Sequence, residues 1–84
     1  MGLPSEPVTL SPAQLAELNQ KLATMRHDVN NHLSLVVAAA ELIRHKPAVA
    51  DRMLTTLSEQ PAKITAAIKK YSSEFDEAFG ITRV

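Results

Sequence analysis

The sequence predicts an all-α protein: one long antiparallel helical hairpin that forms a four-helix bundle as a homodimer. Apolar residues recur at helical spacing over two long stretches, and Pro47 separates those stretches with almost no connecting chain. The composition agrees, because glycines number two in 84 residues and Ala, Leu, Glu, Lys and Gln are common.

Residues 1–10 contain Pro4 and Pro7 and no apolar period. They read as an extended or disordered leader. The first helix then has three start signals. Ser11 is placed as an N-cap, Pro12 sits at N1 where its missing N–H costs nothing, and Gln14 at N3 completes a capping box. Leu10 and Leu15 are placed as the two residues of a hydrophobic staple. From Leu15 onward the apolar residues follow a heptad. Leu15, Leu22, Val29, Val36 and Ile43 take the a positions, and Leu18, Met25, His32 and Ala39 the d positions. Beyond residue 33 the stripe widens, adding Leu33, Leu35, Ala40 and Leu42. A narrow a/d seam fits a two-stranded coiled coil, whereas a wider stripe fits a helix packed against two or three neighbours. The helix is expected over about 11–45, ending among basic residues suited to its C-terminal dipole.

Pro47 forces a break or a new helix start, and so short a connection makes the pair antiparallel. The second helix is expected over about 47–79. Its seam reads Ala50, Leu54, Leu57, Pro61, Ile64, Ile68, Tyr71, Phe75 and Ala78, with a kink expected near Pro61. Gly80 is a natural stop, and residues 81–84 read as a frayed tail. Residues 11–80 thus form one domain. Each helix is about 50 Å long at 1.5 Å per residue, and no third element covers the inner faces. A chain of this size is marginal alone. It has no cysteine for a disulfide or a thiolate metal site. Pairing of two hairpins is the remaining common route to a core.

Nine basic and nine acidic residues leave a formal charge of zero, which argues against a nucleic-acid partner. The longest apolar run, Leu35 to Ala40, is far short of a membrane span, and no signal-peptide pattern is visible. A soluble, cytoplasmic protein is the expectation.

The stretch of chemical interest is Arg26-His27-Asp28-Val29-Asn30-Asn31-His32. In the heptad frame His27 falls at f, in a polar column with Gln20, Ser34 and Glu41, pointing away from the buried stripe. Asn31 lies one turn on and Asp28 on the flank. A neutral imidazole is a competent nucleophile near pH 7. A carboxylate beside it can hold the other ring N–H and stabilise the cation formed on attack. An amide one turn on can orient a water or a phosphoryl oxygen.

His27-Asp28-x-x-Asn31, on the first helix of a long hairpin, resembles the dimerisation and histidine-phosphotransfer domain of bacterial sensor histidine kinases, and the stand-alone phosphotransferases derived from it. The resemblance covers about residues 12–79. It implies that His27 accepts phosphate, that Asp28 is the acidic neighbour, and that Asn31 serves in dephosphorylating a response regulator. It implies as partners a homodimer, a response-regulator receiver domain, and a histidine-kinase ATP-binding domain acting in trans. No cofactor is expected in this chain, and Mg2+ is expected only on a partner receiver domain. Two features depart from the family: His32 stands where proline is frequent, and nothing resembles an ATP-binding domain. The alternatives are a non-catalytic helical dimerisation or adaptor module, or an excised fragment of a full histidine kinase.

The other conspicuous residues have plainer readings. A lone exposed histidine is ordinarily a solvated surface group, and His27 departs from that only through its neighbours and its helix. His32 reads as a half-buried, hydrogen-bonded core histidine, and His45 as a helix-end cap. Ala38, Ala39 and Ala40 suit close helix packing. Tyr71, Phe75 and Phe79 are core by spacing, and Lys63, Lys69 and Lys70 form a solvated cluster.

Overall fold

A computed structural model describes residues 2–81; the expected fraying of residues 82–84 lies outside the described residues. The chain is an antiparallel hairpin of α1 (Pro12–His45) and α2 (Ala50–Phe79), joined through a single 3₁₀ turn at Pro47–Val49. Residues 2–10 form no helix, and there is no β-strand among the described residues. No helix is long and apolar enough to cross a membrane.

Local chemistry accounts for each end. At the start of α1 the Ser11 hydroxyl accepts from the Gln14 N–H at 3.1 Å, and Gln14 Oε1 accepts from the Ser11 N–H at 2.7 Å. Two donors that the helix ladder leaves unpaired are thereby satisfied. At its other end the Lys46 N–H still reaches the Leu42 carbonyl at 2.7 Å. Pro47 has no N–H to continue the ladder, and the chain turns through Val49 N–H to the Lys46 carbonyl at 3.0 Å. Gly80 closes α2 at φ +65°, ψ +32°, a left-handed conformation that costs other residues about 1–2 kcal/mol. There Ile81 N–H bonds the Asp76 carbonyl at 2.8 Å and Gly80 N–H the Glu77 carbonyl at 3.4 Å, a Schellman closure.

The α1 seam follows the heptad. Leu18, Leu22, Met25, Val29, His32, Val36 and Ile43 are half-buried, and Ala39 is fully buried. Leu15 departs from it, at 54 % exposed. The α2 seam lies off the expected one. Met53, Leu57, Gln60, Ile64, Ala67, Tyr71, Phe75 and Ala78 are half-buried or buried, whereas Leu54, Pro61 and Ile68 are exposed. The reason is that α2 carries two adjacent apolar strips. At about 100° per residue, a spacing that alternates three and four can follow either strip or drift between them. Only packing against α1 selects the strip that is covered.

The Cα positions span 58 × 28 × 12 Å with a radius of gyration of 18.0 Å. A compact domain of this length would have a radius near 12 Å. The hairpin is thus a plate one helix thick, where a stable domain ordinarily has two layers.

A polar chain crosses the middle of the seam. His32 Nδ1 donates to Gln60 Oε1 at 2.8 Å, and Gln60 Nε2 donates to the Thr56 carbonyl at 2.9 Å. The Gln60 amide has one acceptor and is otherwise a donor, so this pairing puts the proton of His32 on Nδ1. Gln60 is 2 % exposed, and it and Ala39 are the fully buried residues among those described. His32 is therefore the hydrogen-bonded seam histidine that its d position suggested. Replacing Gln60 with alanine strands the His32 donor in a half-buried site. We expect Gln60→Ala to lower the unfolding free energy by about 1–3 kcal/mol, read from urea unfolding by circular dichroism. The double substitution His32→Leu, Gln60→Leu removes both partners together and should cost less than the sum of its singles.

Candidate functional site

His27 lies on the side of α1 turned away from α2. Seam residues Met25, Val29 and His32 face inward, and at about 100° per residue position 27 points nearly opposite to them. The residue is exposed, as are Arg26, Asn30 and Asn31 around it, while Asp28 is half-buried. Rigidity at the site comes from its place inside a 34-residue helix, more than a dozen residues from either end.

Asn31 is brought to the ring. Its Nδ2 lies 3.3 Å from His27 Nε2, at the long edge of hydrogen-bond distances. An amide nitrogen can only donate, so Nε2 must be the accepting nitrogen and carry its lone pair. In the neutral ring the proton then sits on Nδ1. The bond exists only while the imidazole is neutral, because a protonated ring has no acceptor. Its effect is to keep the nucleophilic electron pair on Nε2, the ring nitrogen furthest from the backbone.

Asp28 is not brought to the ring. Consecutive helix positions diverge by about 100° and do not face one another. Asp28 turns to the flank and lines a groove between the helices with Lys21, Thr24, Lys70, Tyr71 and Glu74. It makes no hydrogen bond or ion pair among the described residues. The spacing argument singled out Asp28 for its position beside His27 and missed this groove. Lys70 and Tyr71 come from the other helix, and no local pattern in α1 points to them. Their proximity follows from the hairpin register.

The surrounding charges are ordinary surface pairs. Lys21 Nζ lies 3.0 Å from Glu17 and 4.0 Å from Glu74. Its hydrogen bond to Glu17 holds its ammonium above the usual lysine range, with Glu17, Glu74 and Glu77 adding charge in the same direction and desolvation opposing. Lys63 pairs with Glu59 at 3.8 Å. His45 Nε2 meets Glu41 at 3.1 Å, so it pairs with a side chain one turn back instead of capping the helix-end carbonyls. Exposed pairs of this kind contribute about 0–1 kcal/mol each. The rings of Phe75 and Phe79 stack at 4.6 Å and those of Tyr71 and Phe75 at 6.3 Å, along the open end of the seam. No cluster of three or more potential metal ligands occurs among the described residues.

No family model, curated protein or solved structure matches the chain. The likeness to phosphotransfer domains accordingly stands on the spacing of His27, Asp28 and Asn31 and on their placement in the hairpin.

The Asn31 contact has a spectroscopic consequence. Free imidazole favours the Nε2–H tautomer, and the geometry here requires Nδ1–H. Long-range 1H–15N correlation spectra at alkaline pH should show His27 enriched in the Nδ1–H tautomer, and Asn31→Ala should return it toward Nε2–H. A His27 spectrum that does not respond to Asn31→Ala would mean the contact has no weight in solution.

Proposed function

We propose that the protein is a histidine phosphotransfer module of two-component signalling, working as a homodimer and exchanging a phosphoryl group between His27 and the aspartate of a response-regulator receiver domain. The observation that carries the proposal is the exposed His27 on a rigid helix, with the Asn31 amide holding the lone pair on Nε2. Exposure matters because the incoming phosphorus must be approached in line with the bond that breaks.

The step balances without a cofactor. The Nε2 lone pair attacks the phosphorus of the receiver's aspartyl phosphate. An N–P bond forms, the P–O bond to the aspartate breaks, and the carboxylate leaves with the electron pair. The ring becomes a phosphoimidazolium whose Nδ1 keeps its proton. The reverse step returns the group to the receiver, and the Mg2+ such chemistry uses belongs to the receiver domain. Asp28 would have to meet a ring rotated toward the flank to take the Nδ1–H. Its carboxylate is uncommitted in the hairpin, which leaves it available once the ring is cationic. Asn31, displaced from Nε2 by phosphorylation, is placed to orient a water or a phosphoryl oxygen, the arrangement a phosphatase role needs. In this proposal the phosphate originates on a histidine-kinase ATP-binding domain acting in trans or on a phosphorylated receiver.

One observation favours a second reading. Asp28 faces the inter-helix groove and not the ring, as expected of a dimerisation or adaptor module that keeps the motif without the chemistry. An excised part of a histidine kinase would share the geometry and differ only in its source of phosphate.

A transfer assay separates the readings. Incubated with phosphorylated receiver domains, the wild type should acquire an acid-labile, base-stable label, and His27→Ala should acquire none. The stability of His27→Ala should lie within about 0.5 kcal/mol of wild type, as for most exposed substitutions. Asn31→Ala should take up label yet slow receiver dephosphorylation. An unlabelled wild type that also leaves receiver phosphate untouched, over a broad panel of receivers, would support the adaptor reading.

A further inference from the structure

The two broad faces of the plate differ in chemistry. One is marked by the groove of Lys21, Thr24, Asp28, Lys70, Tyr71 and Glu74, and by a neighbouring one lined with Gln14, Glu17, Glu74 and Glu77. Residues of both helices line these grooves, so these flanks of α1 and α2 lie on the same side of the hairpin. The opposite flanks must therefore share the other side. On a helical projection at about 100° per residue, that side carries Leu15, Leu33, Val37 and Ala40 from α1 and Leu54, Pro61 and Ile68 from α2. None of these is covered: Val37 is 63 % exposed and Leu54 55 %, with Leu15, Leu33 and Ile68 close behind.

The surface area says what such a face requires. The chain exposes 6298 Å², whereas a monomeric protein of 9.2 kDa would expose about 4,900 Å². The excess is about 1,400 Å², of which the exposed leader supplies part, against the roughly 800 Å² per partner that a standard interface buries. Exposed apolar side chains gathered on one face of a molecule mark an interaction surface. A flat, one-layer plate with one apolar side is completed by a second plate laid against that side, because the same patch then serves both copies.

We infer that a second copy of this chain covers the Leu33, Val37, Leu54 and Ile68 face, leaving the charged face with Asp28 and Lys70 open in the dimer. The inference deepens the self-association part of the proposed function and does not depend on phosphotransfer. It decides which side of His27 a partner approaches: the imidazole on the outer edge of α1 is reached from the Asp28–Lys70 groove, since the other flank is closed by the second plate. Leu35 and Leu42 lie on α1 toward the charged side and stay outside this contact.

The chain has no cysteine, so single cysteines report cleanly. Wild type should run at twice the single-chain mass in sedimentation or light-scattering measurements. Val37→Cys and Leu54→Cys should then react with a maleimide at least roughly tenfold more slowly than Leu35→Cys, with all three equal in urea. Val37→Glu and Leu54→Glu should weaken association on the order of 100-fold or more, and Leu35→Glu should leave it unchanged. A dimer in which Val37→Cys reacts as fast as Leu35→Cys would overturn the assignment of the face alone. A wild type at single-chain mass at high concentration would overturn self-association itself, and the labelling of His27 would still stand or fall by the transfer assay.

Discussion

Everything in this protein follows from the fact that two helices can share only one seam. Each presents a stripe about 100° wide or more, and the antiparallel partner covers only part of it. What remains is a plate 12 Å thick in its Cα positions, whose fully buried residues are one alanine and one glutamine. A core of that kind cannot offset the conformational entropy of ordering some seventy residues. The apolar strip left open on α1 and α2 is thus a structural requirement of the hairpin as much as a surface feature. The same constraint places His27. Because one side of α1 is committed to α2, the outer edge is left as a supported rail on which the His27 imidazole is exposed.

The His32–Gln60 pair fits this picture. Along a regular seam of Leu, Val, Ile and Ala, apolar packing alone distinguishes poorly between neighbouring registers. A half-buried imidazole bonded at 2.8 Å to a buried amide does not tolerate a shift of register, because both groups would then be stranded among apolar neighbours. On α1 the pair's histidine directly follows Asn31. The register the pair holds is the one in which Lys70 and Tyr71 line a groove with Asp28.

Much of this was legible in the residues. Ser11, Pro12 and Gln14 mark the start of α1 by side-chain chemistry that acts over three positions, and Pro47 and Gly80 mark its partner's bounds by what their backbones can and cannot do. Such signals are local, and the structure shows them where the sequence places them. The exposure of His27 and the seam role of His32 were equally accessible, because heptad position determines both within one helix. The α2 seam was not. Leu54, Pro61 and Ile68 satisfy the same spacing as Met53, Gln60 and Ala67, and the choice between strips is made by α1, not by anything within α2. The flank position of Asp28 followed from the heptad, but the groove it lines did not, because Lys70 and Tyr71 come from α2. Adjacency in sequence suggests contact, yet on a helix neighbours diverge, and the residue that meets the ring is Asn31, four positions on.

That divergence gives the site two sides with different duties. Asn31 lies along the helix axis from His27 with its amide on Nε2, a contact that the proposed phosphorylation of Nε2 would break. Asp28 works around the helix, from a groove that also holds two lysines and a tyrosine. Under the proposed phosphotransfer, Lys70 in that groove offers a positive charge to an anionic phosphoryl group. In the proposed transfer the amide orients the nucleophile and the groove flanks its approach, and the hairpin register, with His32 bonded to Gln60, holds the two in relation.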